Sequence, residues 1–327
     1  MQKHEWIVLR MLVGLVAGFS LSVVDAWSQS YPVKPIRMLF GFSVGGAGDI
    51  AARLIAQKLS ESLGQPVVVE NRTGAGGSIA DEMVARSPAD GYTLLFAASS
   101  ITALPALRSK LPYDVEHDLA PVSLAVITAF LLAVHPSVPV RDVKALIALA
   151  RSQPGKLTFS SPGVGSSAHF AGELFKMMAD VKLSHVPYKG APEAAVAVAA
   201  GQIDVGFPSV TAALPLLGAG KLKALAVSSA KRSPLMPSLP TLDESGLTGY
   251  QRSGWNGVLS PADAPKDIIA RLNAIIVKAV NTPEMKETLI KQGFEGQTGT
   301  PEQFAAFIRS EIAQNAKLAK FAGLKSE

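Results

Sequence analysis

The chain contains no cysteine. That excludes disulfides, thiolate nucleophiles and cysteine-ligated metals together. Aromatic residues make up 6% and charged residues 17% of the 327. Neither set is concentrated, and no run of lysine or arginine is interleaved with aromatics. Nucleic acid is therefore a poor candidate partner, even at a formal net charge of +5. His117, His135 and His185 are dispersed, form no H-x-x-x-H pair and have no carboxylate at ligand spacing. Neither a metal nor a cofactor is expected. Low-complexity tracts and short-period repeats are missing as well. What is abundant is apolar residue, 48% of the chain, enough to bury a substantial core in one large domain or two lobes.

Lys3 and Arg10 flank a mostly polar start, and Met11 to Val24 is an apolar stretch, MLVGLVAGFSLSVV. It is short of the roughly 20 apolar residues that span a bilayer. Val24-Asp25-Ala26 ends in a small residue. The pattern predicts a secretory signal over residues 1–26 and a periplasmic mature protein. A retained membrane anchor is the alternative. Removing Lys3, Glu5, Arg10 and Asp25 leaves the net charge unchanged, and no lipid-bearing cysteine follows. Without disulfides, an exported chain depends on its core alone, and this one is long enough for that.

Beyond the signal, strand and helix patterns alternate. Ile36 to Phe40 reads as a buried strand, and Asp49 to Leu63 as a helix with Ile50, Leu54 and Leu59 on one side and Gly64 as its stop. Pro66–Glu70 and Tyr92–Ala97 read as strands, with a helix from Ser78, its expected cap, to Ala85. The pattern restarts after Pro136: helices over 140–151, 168–178 and 193–200, and strands over 156–160, 185–188, 204–207 and 222–228. The last third is mainly helical, with Pro283 and Pro301 at first-turn positions. Such β-loop-α order implies parallel sheet covered by helices.

Three glycine loops lie where strands meet helices. Residues 39–49 read LFGFSVGGAGD, residues 71–77 NRTGAGG and residues 160–167 SSPGVGSS. Glycine there leaves backbone N–H groups open, and a following helix N-terminus carries partial positive charge. Together these suit an anion such as a carboxylate or a phosphate. The first loop lacks the G-x-G-x-x-G spacing and the lysine of a phosphate-binding loop. In open α/β sheets ligands sit beyond the carboxyl ends of strands, so two such units facing each other would hold a ligand between them. Ser166 and His169 raise Ser/His catalysis, but the G-x-S-x-G elbow is absent. Lys189, in the turn 186–190, is a candidate counter-charge.

These motifs, taken in order, resemble the Bug or TctC family, the periplasmic solute-binding proteins of tripartite tricarboxylate transporters. The segments that carry the resemblance include YPVKPIR (31–37), GGAGDIAAR (45–53), VVVENRTGAGGSIA (67–80), DGYTLLFA (90–97), HVPYKG (185–190), GQIDVGF (201–207) and TPEQFAAFIRSEIAQ (300–314). The resemblance implies an α/β protein of two lobes, each a mixed sheet flanked by helices, closing like a Venus flytrap. Lobe 1 would take residues 27–130 plus 254–327, and lobe 2 residues 131–253. It also implies a ligand carboxylate held by Phe42, Gly45, Gly46 and Asp49. Ala75, Ser99, Gly163, Gly165, Ser166, His169 and Asp204 would complete the cleft. Gly41 and Val44 stand where the family often has proline, and Gly48 where threonine is frequent. Pro208-Ser209 replaces a usual acidic or amide residue.

The expectation is a monomeric, non-enzymatic binding protein for a small organic carboxylate, served by membrane permease subunits. A sensor presenting its ligand to a receptor kinase is one alternative. A hydrolase built on Ser166, His169 and Asp204 is another.

Overall fold

Ile36, Met38, Leu39 and Phe40 are buried on both faces of one strand, as in a central parallel strand covered by helices. The computed structural model describes residues 31–324, so the expected signal at 1–26 lies outside the described residues. In chain order the elements are β1 (Ile36–Phe40), α1 (Ala47–Leu63), β2 (Val67–Asn71), α2 (Ser78–Ala85), β3 (Thr93–Ala98), α3 (Leu104–Leu107) and β4 (Leu119–Ala129). Then come β5 (Leu131–Val134), α4 (Val143–Ser152), β6 (Thr158–Ser161), α5 (Ser167–Ala179), β7 (Ser184–Pro187), α6 (Ala191–Ala199), β8 (Val205–Gly206), α7 (Val210–Gly218) and β9 (Lys223–Val227). The chain closes with β10 (Ser253–Pro261), α8 (Lys266–Val280), α9 (Pro283–Lys291), β11 (Glu295–Gly296) and α10 (Pro301–Phe321).

Two sheets result. The first has the order β11-β4-β10-β3-β1-β2, and the second β7-β6-β8-β5-β9. In the first, β1, β2 and β3 are parallel, whereas β10 runs antiparallel to both β3 and β4. In the second, β6 is parallel to β7 and β8, and β5 is antiparallel to β8 and β9. Both sheets are therefore mixed, as expected, and helices flank them in a two-lobed fold. Because β1, β2 and β3 point the same way, the loops after all three lie along one edge. The loops after β6, β7 and β8 do the same in the second sheet.

Local chemistry explains the boundaries. In α1 the buried face is Ala51, Ala52, Ile55, Ala56, Leu59 and Leu63, with Asp49. The stripe is rotated from the expected Ile50-Leu54-Leu59 side, because small alanines let the helix sit close to the sheet. Gly64 ends α1 in the left-handed region at φ 69°, donating to Ser60 O. Helix α2 begins at its expected cap rather than after it: Gly77 is the N-cap and Ser78 is already helical.

Helix α10 joins the two cores. Phe304 and Ile308 near its start belong to the first core with Trp255 and Leu259, while Leu318 and Ala319 near its end belong to the second with Phe159 and Phe175. A buried polar chain follows the same path. The Arg252 guanidinium donates to Asn315 Oδ1 at 2.7 Å, Asn315 Nδ2 to Thr102 Oγ1 at 3.0 Å, and Thr102 Oγ1 to Ser99 O at 2.8 Å. Glu311 and Gln314 also accept from Arg252 Nη1, so Glu311 balances this buried cation, while its Nε finds no partner.

Candidate functional site

The first glycine loop leaves the carboxyl end of β1 and enters α1. Gly41 is fixed by packing: a Cβ there would fall 2.6 Å from the Cα of Gly77. The first and second loops thus touch backbone to backbone, and the Phe42 ring covers Gly77 from the other side. The N-cap of α1 is Gly46, which has no side chain to satisfy the first helical N–H groups. Gly77 and Gly190 leave α2 and α6 without a side-chain cap in the same way. By contrast, Asp142, Ser209, Thr282 and Thr300 cap α4, α7, α9 and α10. Uncapped helix ends with open N–H groups are anion-binding positions.

Asp49 holds the first loop in shape. It is buried, and its carboxylate accepts from Gly45 N at 3.0 Å, Arg53 Nε at 3.0 Å, Arg53 Nη2 at 3.1 Å and Asn71 Nδ2 at 2.8 Å. Asn71 Nδ2 also donates to Phe42 O at 2.9 Å. Burial alone would push the Asp49 carboxyl up, but hydrogen bonds from Arg53, Gly45 and Asn71 hold it below its ordinary value. The carboxylate therefore supports the loop from behind, through Gly45 N and, by way of Asn71, through Phe42 O.

The third loop is held differently. Gly165 has φ +81°, and a Cβ there would meet Leu107 Cδ1 at 2.3 Å, so the site accepts only glycine. Gly165 N donates to His169 Nδ1 at 3.1 Å, which places the ring proton on Nε2, facing Glu173 at 3.6 Å. The ring is buried and stacks on His185 at 4.0 Å between centroids. His185 Nε2 lies 2.7 Å from Ser161 Oγ, and that oxygen accepts from Gly163 N at 3.2 Å. Burial, with the neighbouring His169 imidazole, pushes His185 down to about 4, so it is neutral at pH 7.

A short contact joins the two sheets. Ser99, at the end of β3, has its Oγ 2.6 Å from the Oγ of Ser167, the first residue of α5. Beside it, Ser100 Oγ donates to Gly76 O at 3.1 Å, and Leu107 lies against Gly165. Arg108 reaches Ala75 O at 3.1 Å. The structure thereby sets the loop of Phe42, Gly45 and Gly46 against the loop of Ala75 on the first sheet, and Ser99 against the start of the helix that follows Gly163, Gly165 and Ser166. Asp49 and His169 lie behind these loops.

Asp204 is placed elsewhere. Its Oδ2 accepts from Thr158 N at 2.8 Å and Thr158 Oγ1 at 2.9 Å. Thr158 opens β6, three residues before Ser161, so Asp204 stands at the opposite end of the sheet from the third loop. Ser166 Oγ donates to Gly163 O at 2.8 Å and accepts from His169 N at 3.2 Å. It is occupied as a helix cap, its oxygen is not hydrogen-bonded to the His169 ring, and Asp204 orients neither. Among the described residues these three form no nucleophile–base–acid chain.

Sequence reasoning placed Asn71, Ser161 and Ser167 in the glycine loops without their partners, and missed Arg53 and His185 as site residues. Asp49 and Arg53 stand at i, i+4 on a helix, a spacing that signals a pair. The others have no local signal, because their partners are distant in sequence. A separate cavity of about 590 Å³ lies beside Trp255, Lys231 and Gln297. The charged pair on its wall, Arg252 and Glu311, is already joined at 3.2 Å. None of the three glycine loops lines it, and the uncapped helix starts of α1, α2 and α6 lie elsewhere, so the glycine loops are the candidate site.

Residues 51–324 match the family described as the tripartite tricarboxylate transporter family receptor. Protein BugT of Bordetella pertussis is 36% identical over 319 residues, 97% of this chain and 98% of that protein. A solved R. palustris protein, Rpa4515 with adipate, is 36% identical at a TM-score of 0.78, covering 91% of this chain and all of that one. MatC from Rhodopseudomonas palustris, with bound malate, is 30% identical at a TM-score of 0.73, covering 88% of this chain and 99% of that one.

Proposed function

The chain belongs to the tripartite tricarboxylate transporter receptor family, and on that premise we propose that it is a periplasmic receptor which captures a small organic carboxylate between its glycine loops. It is a binding protein and not an enzyme. The reading rests above all on one observation. A glycine loop of the second sheet meets the first where Ser99 Oγ lies 2.6 Å from Ser167 Oγ, beside the first sheet's loops that lead into the uncapped starts of α1 and α2. Backbone donors of this kind neutralise a carboxylate without a dedicated arginine. Relatives solved with adipate and malate support the same ligand class.

The mechanism is closure. Lobe 1, residues 27–130 plus 254–327, and lobe 2, residues 131–253, meet through the Ser99–Ser167 contact. A ligand that touches both sets of loops binds the closed state better than the open one and shifts the population by that difference. The loaded monomer then delivers its cargo to membrane permease subunits. Asp49 and His169 are positioning residues in this scheme, since each fixes a loop amide from behind. Asp204 only closes the far end of the second sheet.

Protein purified, unfolded, refolded and dialysed tests the reading by calorimetry against a panel of organic acids. Refolding clears ligand carried from the host, and the absence of cysteine makes it straightforward. At least one carboxylate binding with micromolar or tighter affinity is the expected result. No binding by any acid, in protein that has regained its native circular dichroism, would overturn it.

A further inference from the structure

The loops that carry the open amides also carry exposed apolar side chains. Val44 in the first loop is 69% exposed, Val164 in the third is 56% exposed, and Phe42 is 37% exposed. Exposed large apolar residues need no explanation when scattered. Here they stand on glycine loops at the carboxyl ends of strands, one loop on each sheet. Phe42 is held in place: its ring centroid is 5.5 Å from that of Phe40, and its edge covers Gly77. Leu104 and Leu107 extend the apolar lining against Gly76 and Gly165.

The charges on the same loops are already committed. Arg53 is bound to Asp49 and Asn71, and Arg72 to Glu70 at 2.8 Å. Arg108 is turned to Ala75 O and Ser78 Oγ. His185 is half-buried and stacked against the His169 ring. Among the described residues, Arg108 and Lys189 are the loop cations with no carboxylate within ion-pair distance, and Arg108 is already engaged by Ala75 O and Ser78 Oγ. A ligand with several carboxylates would bring charges for which these loops provide few cations. It would also leave Val44, Phe42 and Val164 facing polar groups.

We infer that the captured acid has one carboxylate and an apolar body, aliphatic or aromatic, with Val44, Phe42 and Val164 as the residues that select for it. The inference rests on the carboxylate-receptor reading and narrows it. The open amides take the carboxylate, and closure buries the apolar body between the valines. Removing apolar surface from water is the selective term, and polycarboxylates gain little of it.

Calorimetry on refolded protein with hexanoate and benzoate, against succinate and citrate, tests it. Hexanoate or benzoate is expected to bind at least tenfold more tightly than succinate. Val44→Ser and Val164→Ser, on exposed loop positions, should each weaken that acid by roughly fivefold, in keeping with the loss of one or two methyl contacts. Lys189→Ala should change its affinity by less than twofold. Succinate or citrate binding as tightly as the monoacids, or a Lys189→Ala loss above tenfold, would overturn the selectivity while leaving a carboxylate receptor intact. Failure of every carboxylate to bind would remove both the general reading and this one.

Discussion

The first and third glycine loops do the same job with opposite chemistry. The first is held by an ionised clamp in which the Asp49 carboxylate takes four donors, with Arg53 reaching out to solvent. The third is held by neutral rings, His169 accepting from Gly165 N and stacking on His185 deep under the loop. The first loop sits on the longer sheet, where an exposed helix start leaves room for a partly solvated arginine. The third sits over Phe159, where a second charge would meet an apolar core. A backbone donor can thus be fixed by a strong exposed tether or by a weaker buried one. The two should fail under different conditions.

The largest effect is expected from breaking the ionised clamp. Asp49→Ala removes the acceptor of Gly45 N and Arg53 Nε and one acceptor each from Asn71 Nδ2 and Arg53 Nη2. We expect ligand affinity to fall more than 100-fold and stability by about 2 kcal/mol, the scale of removing a partly buried hydrogen-bonded acceptor. Asp49→Asn keeps the shape and part of the hydrogen bonding, so its loss should be near tenfold. Calorimetry and urea unfolding measure both. Equal losses in the two variants would mean that charge, not loop shape, is what the clamp supplies.

How much of this was legible in advance differs between the regions. The βαβ units were, since Ile36–Phe40 and the helix after it carry clear apolar periods. Strands β4 and β10 were not. Leu119–Ala129 contains Pro121 and Ser123, and Ser253–Pro261 contains Gly254, Asn256 and Gly257, which read as loop until two neighbours bury them. At the site, the glycines were legible because a turn or a close approach needs them. Their tethers were harder. Asn71 lies 22 residues from Asp49, and His185 24 residues from Ser161, distances at which local spacing carries no signal. Asp204 came from family pattern alone, and its Thr158 partner is visible only once β6 and β8 lie side by side.

Acid should separate the loops next. His185 ordinarily titrates near 6.5 and is pushed down to about 4 in the fold, first by burial and then by His169. Its folded pKa is lower than its unfolded one, so the neutral ring's contribution is complete above pH 6.5. That contribution is lost as pH falls toward 4. The groups around it are His169, Ser161, Phe159, Glu173 and Lys176. Glu173 and Asp49 both titrate below their ordinary carboxylate values, so they stay ionised across this window. We expect about 1–2 kcal/mol of stability to go between pH 6.5 and 4.5, after allowing for the half-buried position of His185. Amide exchange at Gly165 should quicken before that at Gly45. His185→Phe should flatten the pH profile. Simultaneous loosening of both loops would show that the two tethers are not independent.

The smallest effect should come from the contact that joins them. Ser99 and Ser167 share a hydroxyl pair at 2.6 Å, and a neutral hydrogen bond contributes on the order of 1 kcal/mol net. That bond exists only when the lobes meet, so it stabilises the closed state alone. Ser99→Ala or Ser167→Ala should therefore weaken binding about threefold, mainly through faster release, and leave thermal stability without ligand nearly unchanged. Because each variant removes the same bond, the double variant should be no worse than either single one. Stopped-flow release rates on the four proteins decide this. Additive losses would mean that each serine contacts the ligand by itself. The ionised and the neutral loop would then be joined only through the ligand that both hold.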